Sequence, residues 1–309
     1  MSIFLSAAVA LSFAAQTDTI VPVQGATTLS VEAPGGSIVV STWDRNDVRI
    51  QADHSSRTYV SIDRHGDRLD VEAEARMGPA TIIDYVITVP ASMDLDLEGM
   101  WTRIEVRGSQ GEVAAETNQG DILIVGGRGL VSASSTNGEI RIQDSEASVH
   151  VEAVAGTVRI INVGGDIEAE SVGGDIVFDG VRSRKVEAGT VGGRILYDGT
   201  VEAGGSYLFG THGGPLAMRI PEGAGAEVSV ATIHGGVRAM VPGAPARFPR
   251  GQRTRFQVGN GGATVELETF SGSILITRDP LSMDGRGNDT LDREAGHLQL
   301  FDRQLRLKH

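Results

Sequence analysis

Pairs of apolar residues recur every nine positions through the middle of the chain, and that beat leaves few folds open. The leading residues run Leu95, Ile104, Val113, Ile122, Val131, Ile140, Val149, Val158, Ile167, Ile176, Val186 and Ile195, with a single step of ten between Ile176 and Val186. Each leader has an apolar partner two positions on, as in Ile122/Ile124, Val131/Ala133 and Ile140/Ile142. Apolar residues at i and i+2 mark a strand with one buried face, and helical spacing is not sustained in this stretch. Glycines punctuate alternate pairs. Gly120, Gly138, Gly156 and Gly174 lie 18 apart, Gly193 follows after 19, and Thr102 holds the slot before Gly120.

A strand of four or five residues extends roughly 15 Å. A glycine-rich turn then reverses the path and a second strand returns. Two strands and two turns make one coil of 18 residues, and coils stack at about 4.8 Å in parallel sheets. The pattern therefore predicts an all-β, single-stranded parallel β-solenoid, β-helix-like and right-handed, with two strands per coil. One inward column would hold Ile122, Ile140, Val158, Ile176 and Ile195, and the other Val131, Val149, Ile167 and Val186. The glycines are expected where the turns need positive φ. An antiparallel sandwich is the rival, but it has no need of a fixed phase. Composition agrees with thin, β-branched layers, since aromatics make up 5% of the chain and Gly numbers 41.

The regular coils occupy 95–199, with irregular β coils or a cap over 15–94 and further coils with insertions over 200–280. Residues 281–309 are polar, without β alternation, and are expected to be disordered or loosely helical. Residues 2–14 form an uncharged apolar run too short to span a bilayer. Ser12 and Ala14 supply the small residues of a cleavage site after Ala14, so 1–14 read as a secretory signal peptide. A basic segment ahead of the run is missing, and a buried N-terminal strand or helix is the alternative. Export to the periplasm, the cell surface or the medium is expected. The chain has no cysteine, hence neither disulfide staples nor a residue for a lipoprotein anchor. No later segment is apolar enough for a transmembrane anchor. A net charge of −13 argues against nucleic-acid binding.

Three segments carry a resemblance. Gly-Gly-Ser-Ile-Val-Val-Ser-Thr-Trp-Asp-Arg-Asn-Asp-Val-Arg-Ile (35–50), Val-Ile-Thr-Val-Pro-Ala (86–91) and Gly-Asn-Gly-Gly-Ala-Thr-Val-Glu-Leu-Glu-Thr-Phe-Ser-Gly-Ser-Ile-Leu-Ile (259–276) together resemble the bacterial putative-adhesin β-strand repeat family, a domain of unknown function, over roughly 25–280. The resemblance implies an exported, solenoid-like cell-envelope protein and carries no catalytic residues. Trp101-Thr102 departs from it, where a glycine is expected.

Chemistry-bearing motifs are few. Gly164-Gly165-Asp166 and Gly173-Gly174-Asp175 lack the second glycine of a calcium β-roll turn, so calcium is not expected, and Asp121, Glu139 and Asp175 read as a solvated acidic edge. His212-Gly213-Gly214 and His234-Gly235-Gly236 differ in phase by one residue against the apolar pairs that follow, which disfavours a shared zinc. His150 reads as a surface ion-pair partner of Glu168. There is no nucleophile elbow and no P-loop. No cofactor or catalytic residue is assigned. The outward column Glu105, Leu123, Arg141, Arg159, Val177 and Leu196 is the candidate interaction face for a protein or glycan partner at the envelope. A polysaccharide-active β-helix enzyme and an envelope-stress component working through a membrane partner are the alternatives.

Overall fold

The computed structural model describes residues 15–23, 25–79 and 82–281, which hold 24 strands and no helix. Pairing is mostly parallel and the sheet is open, an arrangement consistent with a solenoid. The 1–14 signal reading and all of 281–309 but Leu281 fall outside the described residues.

Two stacks of strands run side by side. In the first, Val113–Gln119, Leu130–Asn137, Ser148–Ala155, Ile167–Ser171, Lys185–Thr190 and Ser206–Thr211 follow one another in parallel. In the second the order is Ile122–Val125, Ile140–Gln143, Val158–Ile161, Ile176–Val181, Ile195–Gly199 and Leu216–Arg219. The long strands Thr28–Trp43 and Asp94–Arg107 contribute to both. The register sets Val131, Val149, Ile167 and Val186 in one column and Ile122, Ile140, Val158, Ile176 and Ile195 in the other, and both columns belong to one core. The second inward position of the first stack is alanine on four levels (Ala115, Ala133, Ala169, Ala188), with Val151 and Phe209 on the other two, and is bulky throughout the second (Ile124, Ile142, Ile160, Phe178, Tyr197). Small opposite large fills a thin core without voids.

The glycine column has a cause other than the positive φ expected of it. Of the glycines read as one column, Gly120 (φ +159) and Gly156 (φ +103) have positive φ, whereas Gly138, Gly174 and Gly193, like Gly214 beyond them, do not. What all six share is that a Cβ would fall inside the contact distance of a carbonyl oxygen one level below, that of Thr102 for Gly120 and of the preceding glycine for the others. Glycine is required here so that backbone can lie on backbone. Buried hydroxyls close the same corner. Ser171, Thr190, Thr232 and Thr269 accept the amides of Gly174, Gly193, Gly235 and Gly272 at 2.9, 3.2, 3.0 and 2.9 Å. Thr102, in the glycine slot, is fully buried and donates its hydroxyl to Ala33 O at 3.0 Å, while a Cβ on Gly99 would strike its side chain.

At both ends, spatial order departs from chain order. Thr28–Trp43 lies between Asp94–Arg107 and the pair Arg68–Ala75 and Ile83–Pro90. Likewise Ala263–Thr269 inserts between Ser206–Thr211 and Ala226–Thr232, and Ile274–Thr277 between Leu216–Arg219 and Val237–Met240. Outside these, antiparallel partners take over, namely Ala15–Pro22 on Asp47–His54, Thr58–His65 on Arg68–Ala75 and Thr254–Val258 on Ala226–Thr232. A parallel stack left bare would offer a template for further strands, and these antiparallel strands cover much of each end.

Tyr85 is fully buried beneath the N-terminal end, and its hydroxyl has no hydrogen-bond partner among the described residues. Burial holds its pKa well above the usual range. Tyr85→Phe removes an unsatisfied polar atom and keeps the ring, so it is expected to be neutral or to stabilise by about 1 kcal/mol in denaturant melts. A loss of more than that would show that the hydroxyl has a partner.

Candidate interaction faces

Side chains that do not enter the core emerge in ladders, because the register repeats level after level. Glu105, Leu123, Arg141, Arg159, Val177 and Leu196 align in one column of the second stack. The first four are half-buried. Glu139 holds both arginines, with Arg141 Nη2 at 2.7 Å and Arg159 Nε at 3.3 Å. Glu105 accepts from Arg107 Nε at 2.7 Å and Arg103 Nη2 at 3.2 Å. Val177 and Leu196 are different, at 3% and 1% exposure, and so offer no open surface. With Ala217 and Leu275 they form a second apolar cluster against which Leu281 packs.

The first stack's outward face, which was not singled out from the sequence, is acidic. Glu32 stands between Glu72 and Glu98, Glu98 is paired with Glu116, Glu152 with Glu170, and Glu168 with Glu187. A legible signal was there, since Glu98, Glu116, Glu152 and Glu170 each fall three positions after an apolar leader. Glu32, Glu72, Glu98 and Glu116 border an open groove of about 400 Å³. Partial burial, then the Glu72 and Glu98 charges, raise the pKa of the Glu32 carboxyl. A carboxyl whose folded pKa is raised costs stability above that pKa, and the cost fades as pH falls through it. Glu32→Gln is therefore expected to stabilise the chain at pH 7 by less than about 1 kcal/mol, given its solvent exposure. That gain should vanish as urea melts are taken down through the carboxylate range. A gain that persisted in acid would not be electrostatic.

A third ladder follows the corner. Val154, Val172, Val191, Phe270 and Ile233 are all exposed, at 41–54%. His212 lies in this line, stacked on Phe270 at 4.7 Å with the rings 7° apart, and His234 approaches the same ring at 5.0 Å from the other side. The two histidines thus meet an aromatic ring between them. Gln252, Arg253, Glu268, Ile233 and Phe270 line an adjoining groove of about 480 Å³. Arg253 there is paired with Glu266 and Glu268.

Other polar groups have structural partners. Asp121 Oδ1 accepts the Glu139 amide at 2.8 Å, and Asp175 Oδ1 accepts the Arg194 amide at 3.0 Å. These carboxylates tie one level to the next instead of standing free in solvent. His150 lies between Glu152 at 3.2 Å and Glu168 at 3.5 Å. Among the described residues there is no group of three or more His, Asp or Glu side chains placed to hold a metal, and no helix long and apolar enough to cross a membrane.

No family model matches the chain, and neither does any curated protein. Among solved structures it is similar to a putative cell adhesion protein from Clostridium sporogenes, at 12% identity over 86% of this chain and 99% of that one, with a TM-score of 0.26. The likeness to the putative-adhesin repeat family therefore stands on the residues quoted above alone.

Proposed function

We propose that this chain is a non-catalytic protein exported to the cell envelope, structural or adhesin-like, that presents the long faces of a right-handed solenoid to a protein or glycan partner. Its coils would each take about 18 residues, the offset that separates paired strands such as Val131 and Val149. The observation that carries the reading is the disposition of the outward side chains. They run as ladders along parallel strands, ion-paired on the second stack and aligned glutamate on glutamate on the first, instead of converging on one cleft as a general acid and base would. Repetition of this kind suits a repetitive or extended ligand. Export is supported by the uncharged apolar run of 2–14, with the small residues Ser12 and Ala14 at its end.

The test uses purified full chain on arrayed envelope and plant glycans, alongside cross-linking in the native cell. A partner is expected whose capture falls at least tenfold with Leu123→Glu or Arg141→Glu and survives Glu168→Gln on the opposite face. No reducing sugar should be released. Steady release that is lost on Glu266→Gln or Glu268→Gln would overturn the reading in favour of a polysaccharide-active enzyme. Capture of a membrane protein, insensitive to the face variants, would point to an envelope-stress component instead.

A further inference from the structure

Trp101 stands in a column of small and polar residues. Gly35 is its partner on one neighbouring level, and Gln119, Asn137 and Ala155 follow at intervals of 18 on the other side. The chain has two tryptophans, and Trp43 is engaged, its indole N–H donating to Asp47 O at 2.8 Å and Arg45 lying over its ring at 5.0 Å. Trp101 has no such partner among the described residues and is 59% exposed. A Cβ on Gly35 would stand 3.7 Å from Trp101 Cβ and 3.8 Å from Ile82 Cγ1, so the two side chains flank a bare glycine. Ile82, itself exposed, precedes the Ile83–Gly36–Thr102 rung by one residue, as Gly35 and Trp101 do. The three therefore form a notch with apolar walls two levels apart, roughly 10 Å, and a floor without a side chain. Exposed apolar groups set together in this way mark interaction sites, and tryptophan is a favoured anchor of interfaces.

The charge beside the notch is uncompensated. Glu32 and Glu98 lie three residues before Gly35 and Trp101, and with Glu72 and Glu116 they occupy four successive levels along about 14 Å. Pro34 and Met100 border the groove of these glutamates, so groove and notch adjoin. None of the four carboxylates has an ion pair among the described residues. Arg68, whose charge reaches Glu32, is bonded to Asp70 and Asp96 at 2.8 and 2.9 Å. Further along the same face the acids do meet cations, since His150 lies between Glu152 and Glu168, and Arg253 is paired with Glu266 and Glu268.

We propose that this corner is a docking site for a basic, extended segment of a partner protein. An arginine or lysine of that segment lays its aliphatic stem over Gly35, between Trp101 and Ile82, and turns its charge toward Glu98 and Glu32. Stem and head need different surroundings, and here the two lie side by side. The indole face attracts the same cation that the carboxylates do. Further basic residues of the segment meet Glu72 and Glu116 on the outer levels. An acidic partner would be repelled by the groove, and a neutral one would leave its charge unanswered. The site lies apart from the Leu123 and Arg141 face and does not depend on what that face binds.

The probe is a fluorescein-labelled peptide of repeated Arg-Ser pairs, titrated with the purified full chain at low ionic strength and read by anisotropy. Trp101→Ala is expected to weaken binding at least tenfold, as is Glu98→Gln combined with Glu116→Gln. Glu168→Gln combined with Glu187→Gln removes the same charge further along the face and should stay within twofold of the native chain. Equal losses from the two glutamate pairs would overturn the proposal, because net charge alone would then explain the binding. So would absence of binding, or a Trp101→Ala affinity within twofold of native. Should Trp101→Ala fail to fold, Ile82→Ser strips the other wall of the notch and is expected to lose at least threefold. A neutral glucan oligosaccharide that binds where the peptide does not, and is lost with Trp101→Ala, would also overturn it, since the notch would then be a sugar platform. Any of these failures leaves capture through Leu123 and Arg141 as it stands.

Discussion

Gly174→Ala is expected to destabilise the chain by about 3 kcal/mol or more, an effect usually reserved for deep core truncations. The added methyl is small, but it has nowhere to go. A Cβ at Gly174 meets the carbonyl oxygen and carbon of Gly156 on the level below and the Ser171 hydroxyl, which accepts the Gly174 amide. To make room, one level must lift from the next, which breaks the ladder that includes the bond from the Gly173 amide to Val154 O at 2.9 Å. The control is Gly189→Ala or Gly210→Ala. Both glycines lie in strands of the first stack, and a Cβ on either meets nothing within 4 Å. There alanine should be neutral or stabilise by about 0.5–1 kcal/mol, because it restricts the unfolded chain. Urea melts of the three variants decide the matter. Equal losses would mean that the column is a turn preference, and an intact Gly174→Ala would mean that the levels are not in backbone contact.

That contrast shows how far the sequence could be read. The apolar beat located strands and inward columns because period-2 burial leaves its mark on every residue of a strand, and both columns came out in register. The glycines could be located from their spacing but not explained from it, since close approach between residues 18 apart is a tertiary fact. The order of levels at the ends was illegible for a similar reason. Leu69/Val71 and Val265/Leu267 are equally good strand pairs wherever they stack, and only the cost of a bare edge decides that Thr28–Trp43 and Ala263–Thr269 sit inside.

The candidate face was half legible. Alignment of Glu105, Leu123, Arg141, Arg159, Val177 and Leu196 followed from parity, but parity states only that a side chain points away from the core. It does not state whether another segment lies on top, and Val177 and Leu196 are covered. The acidic ladder obeys the same arithmetic in the other stack, where Glu98, Glu116, Glu152 and Glu170 each stand three positions after an apolar leader. Like charges one rung apart are individually mild in solvent. Repeated from Glu32 to Glu187, they set the sign of a whole face, and a basic or cation-bridged partner would meet it differently from the arginine-bearing face.

Phe178→Ala carries the second large effect, about 3–5 kcal/mol. The bulky inward column changes at this level from isoleucine to aromatic, and Phe178 is fully buried against Tyr197 and Phe209, with ring centroids 5.7 and 5.9 Å away. Tyr197 in turn meets Phe209 at 5.2 Å and Tyr207 at 5.7 Å. The hydroxyls of both tyrosines are satisfied. Tyr197 donates to Thr200 O at 2.7 Å, and Tyr207 donates to Ser183 O at 2.8 Å while accepting the Glu202 amide at 2.9 Å. The aromatic cluster therefore pins the 200–205 loop as well as filling the core. Truncating Phe178 opens a cavity in its middle, whereas Phe178→Leu should cost only about 1–1.5 kcal/mol. Because each level touches only its neighbours, the loss should be local. Hydrogen exchange is expected to quicken first in Val158–Ile161 and Ile195–Gly199, while Asp94–Arg107, several levels away, keeps its protection. Uniform loss along the chain would show that the levels unfold as one unit, and a cost under about 1 kcal/mol would show that the aromatic cluster is not the packed centre its geometry describes.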